Sequence, residues 1–293
     1  MSVSGLGGEF ALIGMSESAV GIVPDKSPRE LCVQVTLDAI QDAGLTLGEV
    51  DGLITCNAFA EPIMYHAEAV AEYIGWQPRH CVTVNTGGGT TFMALNMAAA
   101  AIQAGMADTI VVAMADSLRS FMSREQAMVV QSSSGHPHYE QPYGPTVPAY
   151  YALIARAHMD QFGTTEAQFA EAAVSCRAWA SQHPKAQKRD PISLEDVMNS
   201  RAIADPLKVL DCSLVSDGGA AVESAGRPGT PHGRFHSTSQ RLTTTASYTA
   251  PRSASYAILS AMDVMDTKTA IASYPFDSIH AHSHRLATLM EAP

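Results

Sequence analysis

Cys81-Val-Thr-Val84, continuing through Asn85-Thr-Gly-Gly-Gly-Thr-Thr91 to Gly105, is the stretch that decides the fold. Its β-branched start reads as a short strand. Gly87, Gly88 and Gly89 then permit a tight turn in which the backbone approaches a ligand closely. Phe92, Leu95, Ala99 and Ile102 follow at helical spacing until Gly105 stops the helix, and Thr109-Ile-Val-Val-Ala113 reads as the next strand. Strand, glycine turn, helix and strand in this order form a crossover unit of an α/β layer.

The pattern extends upstream. Phe10-Ala-Leu-Ile-Gly14 is a buried strand, and Ser27-Pro28-Arg29-Glu30 supplies an N-cap, a proline at the first helical position and an acidic first turn. Leu31, Val35, Leu37 and Ile40 form the apolar face of that helix before Gly44 ends it. Asp51-Gly-Leu-Ile-Thr55 is a further strand, and Met64 to Tyr73 reads as a helix. Downstream, prolines and Ser132-Ser-Ser-Gly135 mark an inserted subdomain with two good helices. One runs from Val147 to Phe162, with Gly163 as its stop; the next starts at Thr165-Glu166 and carries Phe169, Ala173, Cys176 and Ala180 on one face. Val209 to Ala225 returns to strand character through Ser216-Asp-Gly-Gly219.

Composition narrows the function. The 293 residues are 46% hydrophobic and 16% charged, below the roughly 25% charge of ordinary globular chains, so a compact buried fold is expected. A net charge of −11 with no Lys/Arg cluster argues against a nucleic-acid surface. Cys32, Cys56, Cys81, Cys176 and Cys212 form no C-x-x-C pair, and the N-terminus lacks a basic segment followed by an apolar one, which points to reduced thiols in the cytoplasm. Phe92 to Met106 is too broken by polar and small residues to be a membrane span.

At an offset of 218 the chain matches itself: Ala39-Ile40-x-x-Ala43 before the strand at Asp51 corresponds to Ala257-Ile258-x-x-Ala261 before Thr269-Ala-Ile-Ala272. On that register position 293 corresponds to position 75, so a second half is expected to stop before the counterpart of the glycine turn. The expected divisions are a first α/β half at 1–116, an inserted loop subdomain at 117–206, a return strand at 207–225 and an incomplete second α/β half at 226–293.

An ordered motif set covers residues 9 to about 225. It comprises Val84 to Thr91, Ala101-Ile-Gln-Ala-Gly105, Ile110-Val-Val-Ala113, His138-Tyr-Glu-Gln-Pro-Tyr-Gly-Pro145, Gly163-Thr-Thr-Glu166, Arg201-Ala-Ile-Ala-Asp-Pro-Leu207, Leu210-Asp-Cys-Ser213 and Ser216-Asp-Gly-Gly219. With these motifs the sequence resembles the thiolase superfamily, in its sterol carrier protein x and lipid-transfer-protein branch. The resemblance implies a layered α/β fold of two pseudo-repeated halves, a loop subdomain contacting coenzyme A, and a homodimer. It implies acyl transfer or Claisen chemistry on acyl-CoA esters in lipid metabolism, with the thioester as substrate and neither cofactor nor metal.

One departure bears on mechanism. The family's nucleophilic cysteine stands at the N-terminus of the helix after the turn, where N–H groups and the helix dipole favour a thiolate. Its counterpart here is Gly88. Cys81 and Cys56 lie too far from that place in sequence to replace it. Thr90 and Thr91 fit capping of the helix, and as proton carriers they would need an adjacent base. The resemblance therefore implies a retained pocket, with Gly87, Gly89, Asn57 and His138 around the thioester and Arg177, Ser216 and Gly218 toward coenzyme A; Arg156 and Lys185 lie in the same subdomain. Some members of this branch that lack the cysteine act as retro-aldolases, using tyrosines as acid and base and pairing with an OB-fold partner protein. Tyr274 in Ser273-Tyr-Pro-Phe-Asp-Ser278 is the candidate for that acid/base role, and a packed tyrosine is the plainer reading. Gly135-His136-Pro137 imitates a motif of the family's second half from the wrong place, leaving a loop histidine near the coenzyme A entrance as its functional alternative. His280, His282 and His284 alternate, but no cysteine or carboxylate stands at a ligand spacing beside them. Three readings stay open: a carbon–carbon bond enzyme of acyl-CoA esters, a catalytically silent thiolase-like subunit binding CoA esters or a partner, and a fragment of a full-length thiolase.

Overall fold

A run in which every residue is apolar or small can be buried on both faces only if a helix covers each side of the sheet. Thr109–Ala115 is such a run, and both sides are covered. The computed structural model describes residues 10–133, 135–144 and 146–226. The chain forms β1 (Phe10–Glu17), α1 (Pro28–Asp42), β2 (Gly52–Thr55), α2 (His66–Ile74), β3 (His80–Thr83), α3 (Thr90–Gln103) and β4 (Thr109–Ser117). Then come α4 (Leu118–Phe121), α5 (Arg124–Ser132), α6 (Val147–Phe162), α7 (Glu166–Ala180), α8 (Leu194–Met198), the ribbon β5 (Ala202–Ala204) and β6 (Leu207–Lys208), and β7 (Asp217–Gly226).

The five-stranded sheet has the order β1-β7-β4-β2-β3. β2 runs parallel to β3 and β4, while β7 is antiparallel to both β4 and β1. The residues of β4 alternate between two cores, as a strand's period of two requires. Val111, Ala113 and Ala115 join Leu31, Val35, Ile40, Leu53 and Val70 beneath α1 and α2. Ile110, Val112 and Met114 join Ile54, Ala94, Ala98 and Ile102 beneath α3. Each large aliphatic side chain so buried stabilises the fold by about 1.5–3 kcal/mol relative to exposure.

α1 begins as its sequence requires. Ser27 caps it and Glu30 completes the capping box, with Pro28 in the first turn. At the other end of the helix, a Cβ on Gly14 would meet Ala39 O and come within 2.8 Å of Ala43 Cβ. Glycine at this point of β1 is what lets α1 lie against the strand.

Several expectations need correction. Leu37 is 40% exposed, and the buried side of α1 includes Thr36 instead. In α3 the large Phe92 is 49% exposed, while the sheet-facing stripe is Thr91, Ala94, Ala98 and Ala101. α3 is apolar nearly all round, so size and hydrophobicity do not reveal its inner face, and small residues take the close approach. In α7 the buried residue is Ala170 and Cys176 is exposed. Val209–Asp211 forms a 3-10 turn, so the returning strand starts only at Asp217. The matched segments after Gly226, with Tyr274 and the alternating histidines, lie outside the described residues.

Candidate functional site

Parallel β2, β3 and β4 end on one edge, and antiparallel β7 begins there. Ser117 pairs with Asp217, and Asp116 with Gly218. Four segments therefore meet along this edge: the crossover after Thr55, the glycine turn after Thr83, the turn after Ser117 and the entry to β7. Crevices at the carboxyl ends of strands are where open α/β sheets take ligands.

The glycine turn is closed by its own threonine. Val84 N–H donates to Thr55 O at 2.8 Å, extending the β3–β2 pairing by one residue. Gly87 then turns at φ 67°, a left-handed conformation that favours glycine. Thr90 is buried; its hydroxyl accepts from Thr86 N–H at 2.9 Å and donates to Gly87 O. Thr91 donates to Met114 Sδ at 3.1 Å. Gly89 occupies the N-cap of α3 without a side-chain cap bond; Thr90 N–H turns back to Gly87 O at 3.0 Å, and the positive end of the helix dipole lies at this turn. Gly88, half-buried, sits in this turn.

The crossover from β2 to α2 forms a wall beside it. Cys56 is buried; burial and then the nearby Asp116 charge push its thiol well above the ordinary value. Burial likewise pushes Cys81 up to about 11, so neither cysteine is a thiolate at neutral pH. Asn57 Oδ1 is shielded from solvent and has no hydrogen-bond partner among the described residues. Phe59 and Ala60 N–H donate to the Asp116 carboxylate at 2.7 and 3.2 Å. Glu61 is ion-paired with Arg29. At the far end His66 lies wholly buried with Nδ1 2.9 Å from Thr55 Oγ1, and Ala67 N–H donates to Thr83 Oγ1 at 2.9 Å. Burial lowers the His66 pKa to about 4, which makes it a neutral packing element at physiological pH.

A second buried carboxylate, Asp217, organises the neighbouring segments. It accepts from Val23 N–H at 2.8 Å, Arg119 N–H at 2.7 Å, Ser120 N–H at 3.0 Å and the Ser120 hydroxyl. Sequence reasoning passed over both aspartates. The available signal was an acid at the terminus of a buried strand, a position where a hydrogen-bonded role tolerates charge.

Gly87, Gly88, Gly89, Thr90, Asn57, Ser216 and Gly218 thus share the carboxyl edge. Ser216 Oγ there accepts from Gln187 Nε2. The other predicted residues have different surroundings. His138 is exposed on the segment before α6, its N–H donating to His136 Nδ1 at 3.2 Å. Arg177 donates to Asp190 O at 2.9 Å, Arg156 pairs with Asp205, and Lys185 pairs with Glu17 at 3.0 Å. Among the described residues no three His, Cys, Asp or Glu side chains gather as a metal site, and no helix is long and apolar enough to cross a membrane.

The family model described as the thiolase N-terminal domain matches residues 12–223. The chain belongs to the thiolase family. It is 32% identical over 217 residues to an acetyl-CoA acetyltransferase of Methanothermobacter thermautotrophicus, covering 73% of this chain and 56% of that one. It is 32% identical over 226 residues to the 17-hydroxy-3-oxo-4-pregnene-20-carboxyl-CoA lyase of Mycobacterium tuberculosis, covering 74% and 57%. Among solved structures, the Ltp2-ChsH2(DUF35) aldolase superposes with a TM-score of 0.66 at 32% identity, covering 75% of this chain and 56% of that one. This thiolase chain therefore spans little more than half the length of these relatives.

Proposed function

We propose that this thiolase-like chain acts on acyl-CoA thioesters and cleaves the Cα–Cβ bond of the acyl group by a retro-aldol route, without an acyl-enzyme. The observation that carries the proposal is Gly88 in the turn at the head of α3, a position with no side chain to acylate. In this reading a base removes the proton of a β-hydroxyl, the Cα–Cβ bond breaks, and its electron pair enters the thioester as an enolate. N–H groups of the glycine turn stabilise the enolate oxygen, a role in which fixed donors act strongly in a sheltered site. Protonation at Cα then yields a shortened acyl-CoA and a carbonyl product. Tyr274 moves the proton, Asn57 and His138 orient the thioester, and Arg177, Ser216 and Gly218 lie toward coenzyme A; Thr90 serves by holding the turn. A cytoplasmic homodimer joined to an OB-fold partner, working on lipid or steroid side chains, completes the proposal. The likeness to a carboxyl-CoA lyase and to an aldolase supports the carbon–carbon cleavage in this reading.

The test is product analysis. A β-hydroxyacyl-CoA is expected to give the shortened acyl-CoA and the carbonyl compound, whereas a β-ketoacyl-CoA with free coenzyme A is expected to remain unchanged. Rapid thiolysis of the second substrate contradicts the proposal. A silent CoA-ester-binding subunit is the second reading, favoured by the same missing nucleophile, and binding of acyl-CoA without cleavage of either substrate selects it.

A further inference from the structure

We infer that Asp116 is the positioning residue of this site: its carboxylate holds the crossover loop that carries Asn57 in place over the sheet edge beside the glycine turn. What the loop is positioned for rests on the acyl-CoA reading; the positioning itself does not.

The residues from Cys56 to Tyr65 leave β2 and travel to α2 without a sheet or helix ladder. N–H groups turned away from water in such a segment need acceptors, because a buried one left unpaired costs about 1–3 kcal/mol; the exposed Phe59 and half-buried Ala60 turn theirs inward onto Asp116. The far end is tied by His66 to Thr55 and by Ala67 N–H to Thr83. The near end is tied by Asp116, which takes Phe59 and Ala60 N–H together with Ser117 N–H at 2.8 Å, all on one fully buried side chain. An ionised carboxylate has about four acceptor sites, whereas an amide must turn its own NH2 toward one of these donors. Asn57, two residues before Phe59, keeps its shielded and unpartnered Oδ1 only while this stretch is fixed.

The titratable groups bearing on Asp116 from neighbouring elements are Asp217 on β7 and the Cys56 thiol at the end of β2. Burial and then the Asp217 charge push its carboxyl up to about 6, against the lowering effect of the three N–H donors. Loop order should therefore depend on pH in the mildly acid range. Asp217 provides the internal control, since it holds Val23 and Ser120 rather than the Asn57 loop.

The experiment is amide NMR and hydrogen exchange on the full chain, with acetyl-CoA as the binding probe. In the wild type, Phe59 and Ala60 amide resonances are expected to titrate together near pH 6, and Asp116→Asn is expected to abolish that curve. In the variant their exchange should quicken at least about tenfold, the equivalent of about 1.4 kcal/mol, while Val23 and Ser120 amides keep their rates. Acetyl-CoA affinity should weaken by a similar factor. Unchanged Phe59 and Ala60 amides in Asp116→Asn overturn the inference, as does equal acceleration at Val23 and Ser120. If that variant does not fold, the wild-type titration decides alone, and a flat profile at both amides is the overturning result. A wild type that ignores acetyl-CoA defeats the acyl-CoA reading but leaves the amide result to judge the positioning.

Discussion

Two fully buried carboxyl groups sit on adjacent central strands, and the fold treats them in opposite ways. Asp116, at the carboxyl edge of β4, is met by three backbone N–H donors. Glu223, in the middle of β7 between Gly14 and Val111, has neither carboxyl oxygen hydrogen-bonded among the described residues. Burial, with a smaller push from Asp51, raises Glu223 to about 9, so it is a neutral acid at physiological pH. The edge of the sheet offers loops with spare donors, whereas in its middle the neighbouring N–H groups belong to the ladder and none reaches the Glu223 carboxyl. An acid at the edge can organise a site; an acid in the middle is a cost to the fold.

The largest effect is expected at Glu223. Its proton is held by the folded state between the unfolded value near 4.3 and about 9, so its contribution is most favourable below the unfolded value. Stability is then lost as pH rises through that window, by up to about 1.4 kcal/mol per pH unit. Glu223→Met should be more stable than the wild type at pH 8 and should flatten the slope, measured by urea unfolding at pH 5 and pH 8. An equal slope in the variant breaks the comparison. At the edge, Asp116→Ala should destabilise by about 2–4 kcal/mol because several N–H groups lose their acceptor. A change near zero would mean that the loop does not depend on it.

On β1, beside Glu223, Gly14→Ala should cost about 1–3 kcal/mol by overpacking, since its Cβ has no room against the end of α1. Thr90→Val should cost about 1 kcal/mol, the value of a typical hydrogen bond, and mobilise Thr86 and Gly87 in amide exchange. Thr91→Val, which gives up only a thioether acceptor, should cost less than Thr90→Val, and the reverse order would move turn closure away from Thr90.

Local chemistry explains how much of this was legible in advance. α6 ends where the sequence expects, at Phe162 before Gly163, because a left-handed glycine stop is a local device. The same holds for the Ser27–Glu30 cap and the turn at Gly87. The inner face of α3 was not legible, because alanines meet the sheet while Phe92 and Met93 face outward. Leu214 and Val215 carry strand-like side chains yet are exposed in the approach to β7. In the site, the glycine turn can be read from Val84 to Thr91, whereas the hydrogen bonds of Asp116 and Asp217 arise from amides up to 194 residues away in sequence. Only the folded sheet brings those donors to one edge.

The central claim is a thiolase turn that works without a covalent acyl-enzyme. Intact-mass spectrometry of the full chain during turnover of a β-hydroxyacyl-CoA tests it most directly. The account predicts an unmodified protein mass while the shortened acyl-CoA accumulates. An acyl adduct on Cys56, Cys81 or any other side chain, formed and consumed at the rate of turnover, would contradict it.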